Sequence, residues 1–236
     1  MATDPSTDPL VERPPTEPSD PTEPSDEHPF VDAAVEALGG SPASVERPPE
    51  SPVQPILPRG LRGAVARFDH RADATFAKLR LHPAANRVFY SASALGDFSL
   101  VWHLIGTARA LRSPTDERAA VRLVASLLVE TVVVNGFVKS VFRRQRPTWD
   151  QERVHTLRKP RSSSFPSGHA TSGFMAATLL VDGRARSAPL WYGVAAVIAA
   201  SRVHVRIHHG SDVVAGAAIG VGLGTIARRI WPLSRR

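Results

Sequence analysis

The 236-residue chain contains no cysteine. This excludes a disulfide framework, thiolate-ligated metal sites and thiol catalysis, and leaves any chemistry to His, Ser, Asp, Glu, Lys and Arg. The chain also lacks the basic start and apolar run of a secretory signal. None of its apolar stretches is a clean run of the ~20 residues that cross a bilayer unless polar flanks are counted. What it has in excess is proline, with 21 residues, and positive charge, formally +7. The two are segregated: residues 1–58 are rich in Pro, Asp and Glu, and the remainder is strongly basic. A basic remainder suits a phosphate-bearing partner, whether nucleic acid, anionic bilayer or phosphorylated substrate.

Three segments follow from composition. Residues 1–58 write TEPSD twice (Thr16 to Asp20, Thr22 to Asp26) and ERPP twice (Glu12 to Pro15, Glu46 to Pro49), which reads as a disordered acidic tail with one short helix candidate, Phe30 to Leu38. Residues 59–86 form a basic amphipathic helix whose apolar stripe is Leu61, Val65, Phe68, Phe76 and Leu79. It is too charged to span a bilayer, and either lies in the interface or packs as an ordinary helix. Residues 87–232 carry five apolar stretches: Val88 to Leu111, Ala119 to Val138, Gly168 to Val181, Pro189 to Ser201 and Val213 to Ile230. With Arg-rich connections between them, they read as about five transmembrane helices of an all-α membrane bundle. Gly216, Gly220 and Gly224 supply small-xxx-small spacing for close helix approach. Asp97 and Glu130, inside expected spans, read as structural groups facing the bundle interior.

Chemistry concentrates in three places. Lys139 and Arg146-Pro147 close the second stretch, where a point charge and a planar fork can share one phosphate. The same cluster would also serve as an interfacial anchor. Ser164-Phe165-Pro166-Ser167-Gly168-His169 opens the third stretch, presenting backbone N–H groups and the Ser167 hydroxyl at a helix N-terminus, although a plain helix cap explains Ser167 equally well. Between the fourth and fifth stretches lie Arg202, His204, Arg206, His208, His209 and Asp212. His208 and Asp212, four apart, share a helical face, so a carboxylate can orient an imidazole nucleophile. His209, three from Asp212, competes on spacing. If every stretch crosses once, all three motifs fall on one side of the membrane.

Together, K-x6-RP, PSGH and SR-x5-H-x3-D resemble the signature of the type 2 phosphatidate phosphatase superfamily, which includes lipid phosphate phosphatases, bacterial acid phosphatases and vanadium haloperoxidases. The resemblance spans about Val88 to Ile230. It departs where lipid phosphatases usually have a first span, occupied here by the charged helix from Arg59 to Leu81. The resemblance implies a lipid phosphatase acting on an isoprenyl or glycerolipid phosphomonoester or pyrophosphate. His208 would attack phosphorus while Asp212 holds its other ring nitrogen, and His169 would protonate the leaving oxygen. Lys139, Arg146, Ser167, Gly168 and Arg202 would hold the phosphate oxygens, with no metal or other cofactor required.

The expected partners are a phosphorylated membrane lipid and the bilayer. Nucleic acid is not expected, because no recognition motif accompanies the charge. The competing readings are a vanadate-dependent haloperoxidase and a catalytically silent anionic-lipid-binding protein. Arg109, Arg112, Arg118, Arg122, Arg184, Arg186, Arg228, Arg229, Arg235 and Arg236 lie on the face opposite the motifs. Their excess predicts a multi-pass plasma-membrane protein with its active site outside and its C-terminus in the cytoplasm.

Overall fold

A computed structural model describes residues 58–148 and 162–233, and among these every regular element is helical. The acidic tail, its short helix candidate, and Arg235 and Arg236 lie outside the described residues.

Helix α1 (Arg59–Arg80) follows Pro58 and ends in Lys78 and Arg80, cations suited to the negative end of the helix dipole. Arg80 ties that end to the bundle, donating to the carbonyls of His204 (2.7 Å) and Val203 (3.0 Å). The apolar stripe is only partly used, since Leu61 and Phe68 stay exposed while Asp69 is buried.

The first apolar stretch is a broken pair. Helix α2 (Pro83–Leu95), with Pro83 in its first turn, and helix α3 (Leu100–Ala110) meet at 68° across Gly96 to Ser99. Ser99 takes a left-handed conformation there (φ 57°). Helix α4 (Pro114–Val141) starts before the apolar run because Ser113 accepts the Asp116 N–H and Pro114 suits the first turn. Its last part, Val132–Val138, widens to π-helical geometry, which re-aims the final turn bearing Lys139. Helices α5 (Gly168–Leu180), α6 (Ala188–His204) and α7 (Gly210–Ile230) complete the bundle.

Trp102, Leu123, Leu127, Met175, Leu180 and Ile198, interleaved with alanines, form the core. Around it the outer surface is apolar, with Leu104, Leu128, Val132, Phe137, Val214 and Ile226 all exposed. Apolar side chains on both inside and outside, and helices as the only regular element among the described residues, define a membrane helical bundle. Helices α4 and α7 are each long and apolar enough to cross a bilayer, and the bent pair α2 and α3 passes the same test as one broken span. Helix α5, at 13 residues, and α6, at 17, are shorter than the ~20-residue norm.

At the far end of α5 from the motifs, Arg109, Arg122, Arg184 and Arg228 are ion-paired. Asp116 accepts from Arg184 (2.8 Å) and Arg109 (3.2 Å), and Asp182 joins Arg122 (2.8 Å) to Arg228 (2.9 Å). Carboxylates weigh little in the positive-inside bias, so these pairs leave the cationic excess of that end in place.

Helix α7 lies against α5 along its glycines. A Cβ at Gly216 would sit 2.6 Å from the Ser167 carbonyl oxygen, one at Gly224 would sit 2.8 Å from Thr178 Cβ, and one at Gly220 would overlap the Thr171 carbonyl. The obstacles at Gly216 and Gly220 are backbone atoms, which cannot swing aside. Gly220→Ala is therefore expected to lower stability by about 1–3 kcal/mol. Gly222→Ala, with nothing within 4 Å of its new methyl, should keep stability or raise it by up to about 1 kcal/mol. Thermal unfolding in detergent measures both, and equal midpoints for the two variants would contradict the packing described.

Candidate active site

The π-helical end of α4 delivers the first motif to the segment before α5. Arg146 donates from Nε to the Ser162 carbonyl (3.1 Å), from Nη2 to the Ser163 carbonyl (3.1 Å) and from Nη1 to the Ile207 carbonyl (2.9 Å). One guanidinium thus stitches the first motif to the other two. Its Nη1 also lies 3.4 Å from His208 Nε2. Burial pulls Arg146 below its ordinary value, opposed by the charge of Asp212. Lys139 lies near enough to Arg146, Arg202, Asp212 and Glu130 for their charges to interact.

His208 sits in the loop between α6 and α7, which reverses at Arg206 (φ 53°) and folds back so that the His208 N–H reaches the Arg202 carbonyl (3.1 Å). The ring is buried, and its Nδ1 is 2.6 Å from the Ser164 carbonyl. A carbonyl can only accept, so Nδ1 carries the hydrogen and Nε2 keeps a lone pair directed towards Arg146. Asp212, expected from spacing to hold Nδ1, is 3.7 Å away and acts on the ring through its charge. The direct hydrogen-bond acceptor is Ser164, because the i,i+4 register is broken: His208 precedes α7 and only Asp212 is inside it. Burial lowers the His208 pKa to about 3, against the pull of Asp212 and with the help of Arg146 and Arg202.

Asp212 is fully buried and surrounded by donors: Arg144 Nη1 (2.5 Å), Ser164 Oγ (2.5 Å) and the His209 N–H (2.8 Å). The His209 ring is 3.3 Å from the same carboxylate and completes a capping box at the start of α7. Structure therefore separates the two adjacent histidines. His209 caps a helix, whereas His208 turns Nε2 towards the Arg146 guanidinium.

His169, in the first turn of α5, places Nε2 between Asp97 Oδ1 (3.0 Å) and the Ser93 carbonyl (3.3 Å) at the bend between α2 and α3. Gly96 makes room for the ring, since a Cβ there would lie 2.5 Å from His169 Cδ2. Arg202 donates to the Ser93 hydroxyl, which brings the third motif to the same bend. Ser167 is the residue before α5, yet among the described residues its buried Oγ makes no capping hydrogen bond and has no partner. A hydroxyl left this way at a helix N-terminus, beside the Gly168 N–H, is a place for an external acceptor.

All eight residues singled out in the three motifs thus belong to one neighbourhood. The structure adds Ser93, Asp97, Arg144, Ser164, Ser211 and Asp69 to it. Arg144 and Ser164 occupy unspecified positions within motifs; Ser93 and Asp97 were visible only as polar residues in an apolar stretch. His204 is elsewhere, stacked on Phe89 at 4.5 Å and 2.8 Å from Asn86 Oδ1 through Nε2.

Lysine and arginine gathered around a fixed imidazole, on a bundle whose outer surface is apolar, define a membrane phosphatase. The sequence profile of the PAP2 superfamily matches residues 119–236, and the chain belongs to that family. It is 33% identical over 134 residues to decaprenylphosphoryl-5-phosphoribose phosphatase of Mycobacterium tuberculosis, covering 57% of this chain and 73% of that protein. Identity to the Mycolicibacterium smegmatis protein of the same name is 36% over 126 residues, 52% of this chain and 67% of that one. Among solved structures, LpxE of Aquifex aeolicus superposes with a TM-score of 0.55 at 26% identity, over 66% of this chain and 93% of that chain. The first transmembrane PAP2-type phosphatidylglycerolphosphate phosphatase from Bacillus subtilis shares the fold, with a TM-score of 0.53 at 21% identity over 74% of this chain and 88% of that chain.

The buried state of His208 has a measurable consequence. Unfolded, the ring titrates near 6.5; folded, at about 3. Over that interval the unfolded chain binds the extra proton, so this contribution to stability is complete above about pH 6.5 and is lost as pH falls towards 3. The unfolding midpoint of His208→Gln should accordingly fall less steeply between pH 6.5 and 3 than that of the wild type. Parallel slopes would show that the ring is not held in its neutral form.

Proposed function

We propose that the chain hydrolyses a phosphomonoester or pyrophosphate of a membrane lipid, isoprenyl or glycerolipid, through a phosphohistidine on His208. The observation that carries this reading is the pinned ring: Nδ1–H is held by the Ser164 carbonyl at 2.6 Å, and Nε2 lies 3.4 Å from the Arg146 guanidinium. Nε2 attacks phosphorus as the bond to the leaving oxygen breaks, and His169 gives that oxygen its proton. Asp212 stabilises the positive ring. In the second step His169 takes a proton from water, whose oxygen attacks the phosphohistidine, releasing inorganic phosphate and restoring His208. Lys139, Arg146, Arg202, the Ser167 hydroxyl and the Gly168 N–H meet the equatorial oxygens, where charge spreads in the transition state. These cations take the electrostatic role of a metal, and no cofactor enters either step.

The name of the mycobacterial relatives makes decaprenylphosphoryl-5-phosphoribose the first lipid to test, beside isoprenyl pyrophosphate, phosphatidate and phosphatidylglycerol phosphate. His208→Asn should abolish phosphate release and phosphoenzyme together, detected after alkaline quenching, whereas His209→Asn should keep turnover at a reduced level because it loses only a cap. Wild-type activity should survive chelators and be blocked by vanadate. An active His208→Asn enzyme, or chelator loss restored by magnesium, would sink this mechanism.

The domain reading that accompanies it is a Pro-rich acidic tail over residues 1–58, the amphipathic helix within 59–86 and a phosphatase domain over 87–232. In this reading the chain crosses the plasma membrane several times, with the site outside and the C-terminus inside, supported by the cationic excess at the end of α5 remote from His169. Single cysteines at Ser163 and Ser187 report the orientation: an impermeant thiol reagent applied to intact cells should label the first and spare the second. The reverse pattern would invert the topology.

A further inference from the structure

We propose that Asp69, on the amphipathic helix α1, is a positioning residue that holds the nucleophile's supports in place through Arg144. The inference rests on His208 as nucleophile.

Asp69 lies in the middle of α1, a helix of mostly half-exposed and exposed side chains, yet is itself only 7% exposed. Both of its oxygens are engaged by one place in the fold. Oδ2 accepts from Arg144 Nη2 (2.7 Å) and from the Ser211 hydroxyl (2.9 Å), and Oδ1 accepts the Ser211 N–H (2.7 Å). Ser211 is the second residue of α7, so its N–H has no partner within that helix. A carboxylate from another helix satisfies it, at the end where the helix dipole favours negative charge.

Arg144 is the link to the chemistry. Its Nη1 donates to Asp212 Oδ1 (2.5 Å) and to the Ser211 hydroxyl (2.8 Å), while Nη2 is spent on Asp69. Its backbone carbonyl accepts the Ser164 N–H (2.9 Å), and the Ser164 carbonyl holds His208 Nδ1. Arg144 therefore supports both groups that act on the nucleophilic ring, the Ser164 carbonyl and the Asp212 charge. A planar guanidinium bridging two carboxylates is fixed in rotation as well as position. With Asp69 neutral, the buried arginine loses the ion pair on its Nη2 side, and its plane is held less firmly against Asp212. Helix α1 is seated closely enough for this: a Cβ at Gly210 would lie 2.9 Å from Ala72 Cβ and 3.1 Å from the Phe68 ring. Asp69 lies outside the residues 119–236 matched by the family profile. None of the motifs contains it.

Asp69 touches no phosphate-binding residue, so its loss should appear in kcat rather than in KM. Asp69→Asn keeps the size and removes the charge; kcat on a short-chain lipid phosphate should fall about ten- to a hundredfold, as when a hydrogen-bonded support of an active group is removed, with KM changed by less than about twofold. Arg80→Gln is the control, because it loosens α1 from the carbonyls of Val203 and His204 without touching the path to Asp212. It should lower the unfolding midpoint and leave kcat near wild type. Combining Asp69→Asn with Arg144→Gln should cost no more than Arg144→Gln alone, since both act through one path. Wild-type kcat in Asp69→Asn, an equal loss of kcat in Arg80→Gln, or additive losses in the double variant would each overturn the proposal. His208→Asn in the same assay separates the two readings: if it turns over, the nucleophile is wrong, whereas a normal Asp69→Asn beside a dead His208→Asn rejects only the role of Asp69.

Discussion

The carboxylate of Asp212 is the constraint around which the rest is arranged. A fully buried anion must be compensated by donors or it will not stay ionised, and here the donors come from separate parts of the chain: Arg144 after α4, Ser164 before α5, and the His209 backbone at the start of α7. Its own carbonyl also accepts the Ser167 N–H at 3.1 Å. Satisfying one residue therefore draws three motifs into contact. The His208 ring is then aimed by the Ser164 carbonyl, which is already fixed by the same network.

Around this polar knot the bundle solves a different problem, that of bringing backbones close without large side chains between them. Glycines of α7 let α5 approach until its first turn, with Ser167, Gly168 and His169, meets the loop carrying His208. The bend at Gly96 does the same from the other side, leaving space for the His169 ring. At this contact small residues stand between the backbones, while Val214 and Ile226 of α7 stay exposed on the outer surface. Helix packing and the candidate site are thus joined at the glycines.

Much of this was legible in residue order. The five apolar stretches all became helices, because their composition leaves them few other ways to satisfy backbone groups in lipid. The glycine spacing of α7 announced a close helix contact. Other features were not legible, for local reasons. The first stretch reads as one span, but breaks by 68° where Ser99 turns left-handed and Gly96 makes room for the His169 ring, distant in sequence. Asp97, read as structural, turns out to face His169. Helix α4 begins at Pro114 rather than at the apolar residues, since capping by Ser113 outweighs the charge that follows.

By itself the sequence excluded thiol chemistry, and the order of its Lys, Arg, Ser, His and Asp pointed to a phosphatase through its resemblance to the type 2 phosphatidate phosphatase signature. It also determined the helical bundle, through apolar length and glycine spacing. Only the tertiary structure gives the two histidines different surroundings: His208 and His209 differ by one position, and spacing to Asp212 serves both. The difference comes from the Ser164 carbonyl, 44 residues away in the chain, and from the cap that occupies His209. The tie from Asp69 to Arg144 across 75 residues is of the same kind. Hydrogen bonds between groups so far apart leave no periodic trace in sequence, because each residue alone is an ordinary serine, arginine or aspartate, and they acquire meaning only when folding makes them neighbours.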